Sequence, residues 1–183
     1  EERSIQLLRE SSGAPFFLGM ALLAHGGVAI ELGEYETARA SLEESLAIAQ
    51  ESGDSFRIGH TLNALGDLAR CEQRYADAQT AYERGAALLR EVGAQRDLAS
   101  VQQNLGYTCL RLGEVARALA LFRESLAAHQ AMANVPGMAE SLVGFAAVAL
   151  SRGLPAEGAR LLGAAEAIGG QRTAAASVWL VTR

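Results

Sequence analysis

Apolar side chains return every three or four positions over residues 15–32, 56–72, 96–112 and 136–152, and again over 35–51, 75–91, 115–131 and 155–168. That spacing gathers them on one face of a helix, so the pattern predicts eight amphipathic helices, read in order as the A and B helices of four units. The pattern also repeats. In rows of 40 residues, Gly26, Gly66, Gly106 and Ala146 share a column, as do Gly33, Gln73, Gly113 and Gly153. Ala38, Ala78, Ala118 and Gly158 form a small column, Leu42, Tyr82, Phe122 and Leu162 a large apolar one, and Gly13, Gly53 and Gly93 align with Ala133.

Glycine inside a helix costs about 1 kcal/mol against alanine, so a recurring helical glycine needs an offsetting gain. A small residue lets two helices approach to about 8 Å, which places the first column where the A and B helices of one unit cross, with the large apolar column filling the space beside it. Gly33, Gly113 and Gly153 follow apolar-periodic segments and suit helix C-caps, with Gln73 as the exception. The segments expected are 1–13 (the end of a preceding repeat, since 4–12 aligns with 44–52), repeats at 14–53, 54–93, 94–133 and 134–168, and a closing segment 169–183. A chain that starts inside a repeat and lacks an initiating methionine reads as a fragment.

Leu62-x-x-Leu65-Gly66 followed by Ala78, Tyr82 and Gly85, and then Leu105-Gly106, Ala118, Phe122 and Ser125, resembles the tetratricopeptide repeat. The resemblance covers about residues 14–166 and implies an all-α fold, a right-handed α-α superhelix of antiparallel helix pairs. The period is longer than the usual ~34 residues of that family, and longer helices and loops accommodate the difference. Gly158-Ala-Arg-Leu-Leu-Gly-Ala-Ala-Glu-Ala-Ile168 resembles the last repeat of tetratricopeptide arrays in large bacterial regulators that join a signal-transduction ATPase to a LuxR-type DNA-binding domain. Sixteen arginines without a lysine fit a GC-rich bacterial genome.

Composition narrows the function. Half the residues are hydrophobic but only 5% aromatic, the balance of packed helices. The net charge of −5 opposes direct nucleic-acid binding through this segment. Uninterrupted apolar runs such as 145–150 are far shorter than the ~20 residues of a membrane span, and the chain is expected to be soluble and cytoplasmic. Without lysine there is no Walker A loop and no Schiff-base chemistry; H-E-x-x-H, G-x-S-x-G and a strand-borne G-x-G-x-x-G are also missing from the sequence. No enzyme activity and no cofactor are expected. His25, His60 and His129 lie on different repeats without metal-ligand spacing, and His25, in a column of leucine and phenylalanine, reads as a hydrogen-bonded histidine near the core. Cys71 and Cys109 read as free packing thiols, and Glu43-Glu44 as solvated surface.

The resemblance also implies an inner surface lined by the A helices. In the second repeat the spacing selects His60, Asn63, Asp67 and Arg70, and in the third Ser100, Gln103, Asn104, Tyr107 and Arg111. Met20, Leu23, Gly27 and Ile30 are the equivalents in the first repeat, and Glu140, Val143, Ala147 and Leu150 in the fourth. A face polar at its centre and aliphatic at its ends suits a peptide or partner domain; His60, Asn63, Asp67, Arg70, Gln103, Asn104, Tyr107, Arg111 and Glu140 are the expected partner-binding set. A small-molecule sensor using the same face is the alternative. Clamping of a chaperone's terminal carboxylate is disfavoured, because Asp67 and Glu140 stand where amides and cations are needed. Trp179 either caps the stack or, left exposed, pairs with a second copy to give a homodimer through the C-terminal end.

Overall fold

The computed structural model describes Arg3, Ile5, Gln6, Leu8 and residues 15–169, and among these every regular element is an α-helix. In order they are α1 Pro15–Leu32, α2 Tyr35–Glu51, α3 Ser55–Cys71, α4 Tyr75–Glu91, α5 Gln95–Arg111, α6 Val115–Ala131, α7 Val135–Ser151 and α8 Pro155–Gly169. The helices expected from the apolar spacing are therefore all present, shifted by one residue at most. The expected partial repeat at 1–13 and the closing segment with Trp179 lie outside the described residues, apart from four helical positions near the N-terminus.

Every connector is built alike. Positive φ recurs every twenty residues, at Gly33, Gly53, Gln73, Gly93, Gly113, Ala133 and Gly153. At the first turn the Gly33 N–H donates to the Ile30 carbonyl (3.1 Å) and the Glu34 N–H to the Ala29 carbonyl (2.8 Å), a Schellman pair that satisfies two orphan carbonyls of α1. The pair returns at Gly53/Asp54, Gln73/Arg74, Gly113/Glu114, Ala133/Asn134 and Gly153/Leu154, and the Gly93 N–H makes the first of the two bonds, to the Arg90 carbonyl. Gln73 (φ 61°) and Ala133 (φ 51°) carry a side chain into the left-handed region, at about 1 kcal/mol each.

Two compact units divide the chain, Glu1–Gly93 and Ala94–Arg183. In the first, α1 pairs with α2 and α3 with α4, and α3 also packs on α2 and α1. In the second, α5 pairs with α6 and α7 with α8, and α7 packs on α6 and α5. The helical glycines sit at the predicted crossings. A Cβ at Gly26 would lie 2.6 Å from Leu42, at Gly66 2.5 Å from the Tyr82 ring, and at Gly106 2.8 Å from the Phe122 ring. Leu42, Tyr82 and Phe122 are fully buried, so the glycine column gives each of these side chains its seat on the facing backbone.

Helix α1 departs from the expectation drawn from apolar runs. By length and composition alone it could cross a membrane, with a mean hydropathy of 1.5 over 18 residues, 28% of which are buried. Alanines and glycines dilute its leucines without adding charge, which conceals this property in a search for unbroken apolar runs. Its Gly26 joins the α1–α2 crossing, so α1 packs as an ordinary helix A of the first unit.

Candidate functional site

In the first unit the polar part of the expected inner face lies on α3. Gly66 admits the Tyr82 ring against the α3 backbone, and the Tyr82 hydroxyl donates to Asp67 Oδ1 at 2.7 Å. Arg70, one turn on, places Nη2 3.5 Å from the same oxygen, and its side chain is only 8% exposed. Burial raises the Asp67 carboxyl above its usual value, opposed by the Arg70 charge and the Tyr82 hydroxyl. Tyr82, buried and beside Asp67, stays protonated as a donor. Asp67 still exposes 28% of its side chain, so it is an acceptor with a fixed orientation that remains reachable from outside. Asn63 and His60, one and two turns back, are half-buried, and the His60 ring lies 4.6 Å from that of Phe56.

The second unit treats its expected residues differently. Gln103 is only 4% exposed: its amide donates to the Gly137 carbonyl at 3.0 Å and to Ser141 Oγ at 2.8 Å. Ser141 in turn donates to the Gly137 carbonyl (2.9 Å) and lies 3.4 Å from Ser125 Oγ. Tyr107 is equally buried, edge-on to Phe122 at 5.0 Å, with its hydroxyl 3.4 Å from the Glu140 carbonyl. Gln103 and Tyr107 are thus cross-braces between α5 and α7 rather than open-face residues. Asn104 is half-buried, while Ser100, Arg111 and Glu140 are exposed. The aliphatic ends are also corrected, because Ile30, Val143 and Ala147 are core residues and only Met20 and Leu150 stand well exposed.

Other polar groups that spacing did not single out are occupied within the fold. Gln102 donates to Glu124 at 2.6 Å. His25 pairs with Ser41 at 2.9 Å, as a histidine near the core should. His129 is buried, its Nδ1 3.0 Å from Asn134 Nδ2, and burial together with the Arg96 charge lowers its pKa. An amide N–H can only donate, so Nδ1 accepts and the ring carries its proton on Nε2. Cys109 is buried and Cys71 half-buried, both as free thiols. No group of three potential metal ligands converges among the described residues.

Comparison with known proteins agrees with the helical-hairpin geometry. The tetratricopeptide repeat profile matches residues 17–91 and 59–131. No curated protein matches the chain. Among solved structures, the crystal structure of BtubC (BKLC) from P. vanneervenii superposes with a TM-score of 0.77 at 18% identity, covering 91% of this chain and 69% of that one, a likeness of fold. With more than half of its residues under the repeat profile and a positive-φ turn after every helix from α1 to α7, the chain belongs to the tetratricopeptide repeat family.

Proposed function

We propose that the chain is the protein-binding segment of a larger bacterial transcriptional or signalling regulator, cytoplasmic, taking a peptide or partner domain on the helix-A faces of its units. Tetratricopeptide repeats generally mediate protein–protein interaction and are typically non-enzymatic scaffolds. The observation that carries the reading is Asp67: an acceptor held by Tyr82 at 2.7 Å and left partly accessible beside Asn63 loses little rotamer freedom when a partner's N–H binds it. Asn104, Arg111 and Glu140 offer comparable groups on the second unit, whereas Gln103 and Tyr107 keep their braces. The resemblance of 158–168 to the last repeat of LuxR-type regulators supports the setting in which such a segment would work.

The test is to recover the native protein from its source cells with an antibody, record its intact mass and co-purifying proteins, and titrate the recovered partner against variants. Asn63→Ala with Asp67→Asn addresses the first unit, and Asn104→Ala with Arg111→Ala the second. At least one pair is expected to weaken binding tenfold or more with the circular dichroism spectrum unchanged. Wild-type affinity in both pairs would overturn the helix-A assignment.

A further inference from the structure

The second unit carries a groove on the opposite side of α7 from Glu140 and Leu150. A cavity of about 230 Å³ lies between α6 and the start of α8, with α7 as its floor, and Leu119, Phe145, Leu154 and Leu161 supply its apolar walls. Arg123 and Arg152 stand on its border with Glu157 as the one carboxylate, and all three are exposed. Neither guanidinium makes a hydrogen bond or ion pair with a described residue.

Ion pairs cross the corresponding place in the first unit. Eighty residues earlier, Leu119 becomes Arg39, Arg152 becomes Glu72, Leu154 becomes Arg74 and Glu157 becomes Asp77. There Arg39 pairs with Glu72 at 2.5 Å, and Arg74 pairs with Glu72 and Asp77 at 2.6 Å each. The four charges make a strap across the end of α3, and the Arg39 guanidinium holds the Glu72 carboxyl below its usual value. In the second unit two strap positions are leucine and the central carboxylate is arginine, so the corresponding place is an apolar hollow with two exposed guanidinium groups at its edge, neither paired with a described residue.

We propose that this groove docks a partner polypeptide through a leucine- or phenylalanine-type side chain flanked by carboxylates. The apolar anchor fills the cavity and the carboxylates pair with Arg123 and Arg152, the latter geometry favoured by the planar guanidinium fork. Size selects a peptide over a whole small molecule, because ligand pockets usually enclose about 300–1,000 Å³ and this cavity is smaller and bordered by exposed side chains. The docking is separate from the helix-A faces and stands or falls without them.

The experiment is a selection from a random peptide display library on the full chain, with counter-selection on Leu119→Arg/Arg152→Glu/Leu154→Arg, which installs the strap of the first unit. Selected peptides are expected to share an aliphatic or aromatic residue beside Asp or Glu. Their affinity should fall at least tenfold on the strapped variant and on Arg123→Glu/Arg152→Glu, and hold on Asn104→Ala/Arg111→Ala. The arginine double variant changes only exposed side chains, so it gives the answer even should the strapped variant fail to fold. Binders without carboxylates, binders indifferent to the double variant, or no binders sensitive to it would each overturn the proposal.

Discussion

Substituting Gly144 by alanine should destabilise the second unit, although alanine is the better helix former. The Phe122 ring, fully buried, lies against two glycines: a Cβ at Gly106 on α5 would come within 2.8 Å of Cε1 and Cζ, and one at Gly144 on α7 would overlap Cδ1 and Cε1 more severely. Carbon atoms at rest sit about 3.5–4.0 Å apart, so the new methyl must push the ring by about 1 Å, and the α5 backbone blocks retreat on the other side. Overpacking of this kind costs about 1–3 kcal/mol, and the overlap here belongs to the upper part of that range; against a helix-propensity gain of about 1 kcal/mol it leaves a net loss of up to about 2 kcal/mol. Gly163 on α8 is the control: nothing lies within 4 Å of its Cβ position, so Gly163→Ala should gain the propensity term of about 1 kcal/mol unopposed. Shortening the ring with Phe122→Leu should make Gly144→Ala tolerable, giving a coupling of at least about 1 kcal/mol in a double-mutant cycle. Urea unfolding followed by circular dichroism reads all five proteins, the parent included. A Gly144→Ala variant as stable as the parent, or an additive cycle, would refute the account of Phe122 as a ring wedged between two glycine faces.

Two further outcomes follow from the turns and from His129. Replacing Gln73 or Ala133 by glycine removes a side chain from a positive-φ turn (φ 61° and 51°) and should add about 0.5–1 kcal/mol of stability, read as a higher urea midpoint; a lower midpoint at both would contradict the strain. His129 has its folded pKa lowered below 6.5, so the unfolded chain takes up the proton first; its contribution is complete above that value and is lost as pH falls through the folded pKa. Stability should therefore decline as pH falls below about 6.5, and His129→Gln should flatten that limb; parallel pH profiles for the two proteins would remove His129 from the explanation.

The fold was legible because its devices recur in the sequence. Glycine at 26, 66 and 106 facing a large apolar residue sixteen positions later states a helix crossing three times over, and the structure seats Leu42, Tyr82 and Phe122 there. The open face was harder to read. Helical spacing puts Gln103 and Tyr107 beside Asn104 and Arg111, but spacing reports direction and not depth. Depth was decided by a residue 34 positions away, where the small Gly137 brings its carbonyl within 3.0 Å of the Gln103 amide. The strap of Arg39, Glu72 and Arg74 was missed for the same reason, since each charge alone looks like ordinary helix surface until the 33-residue contact is formed. Eighty residues on, Arg39, Glu72 and Arg74 give way to Leu119, Arg152 and Leu154, a difference that column-wise small-residue spacing does not register.

Within each unit, each helix packs on the next in the chain, through connectors of two or three residues, and the first also packs on the third. No long segment has to be closed into a loop before its contacts form, so the entropy that slows the assembly of sheets is small here. Ordering can begin at any hairpin whose glycine has received its partner ring and spread by docking of the adjoining helix, which places each unit among the fast-folding topologies despite the modest strength of any single turn.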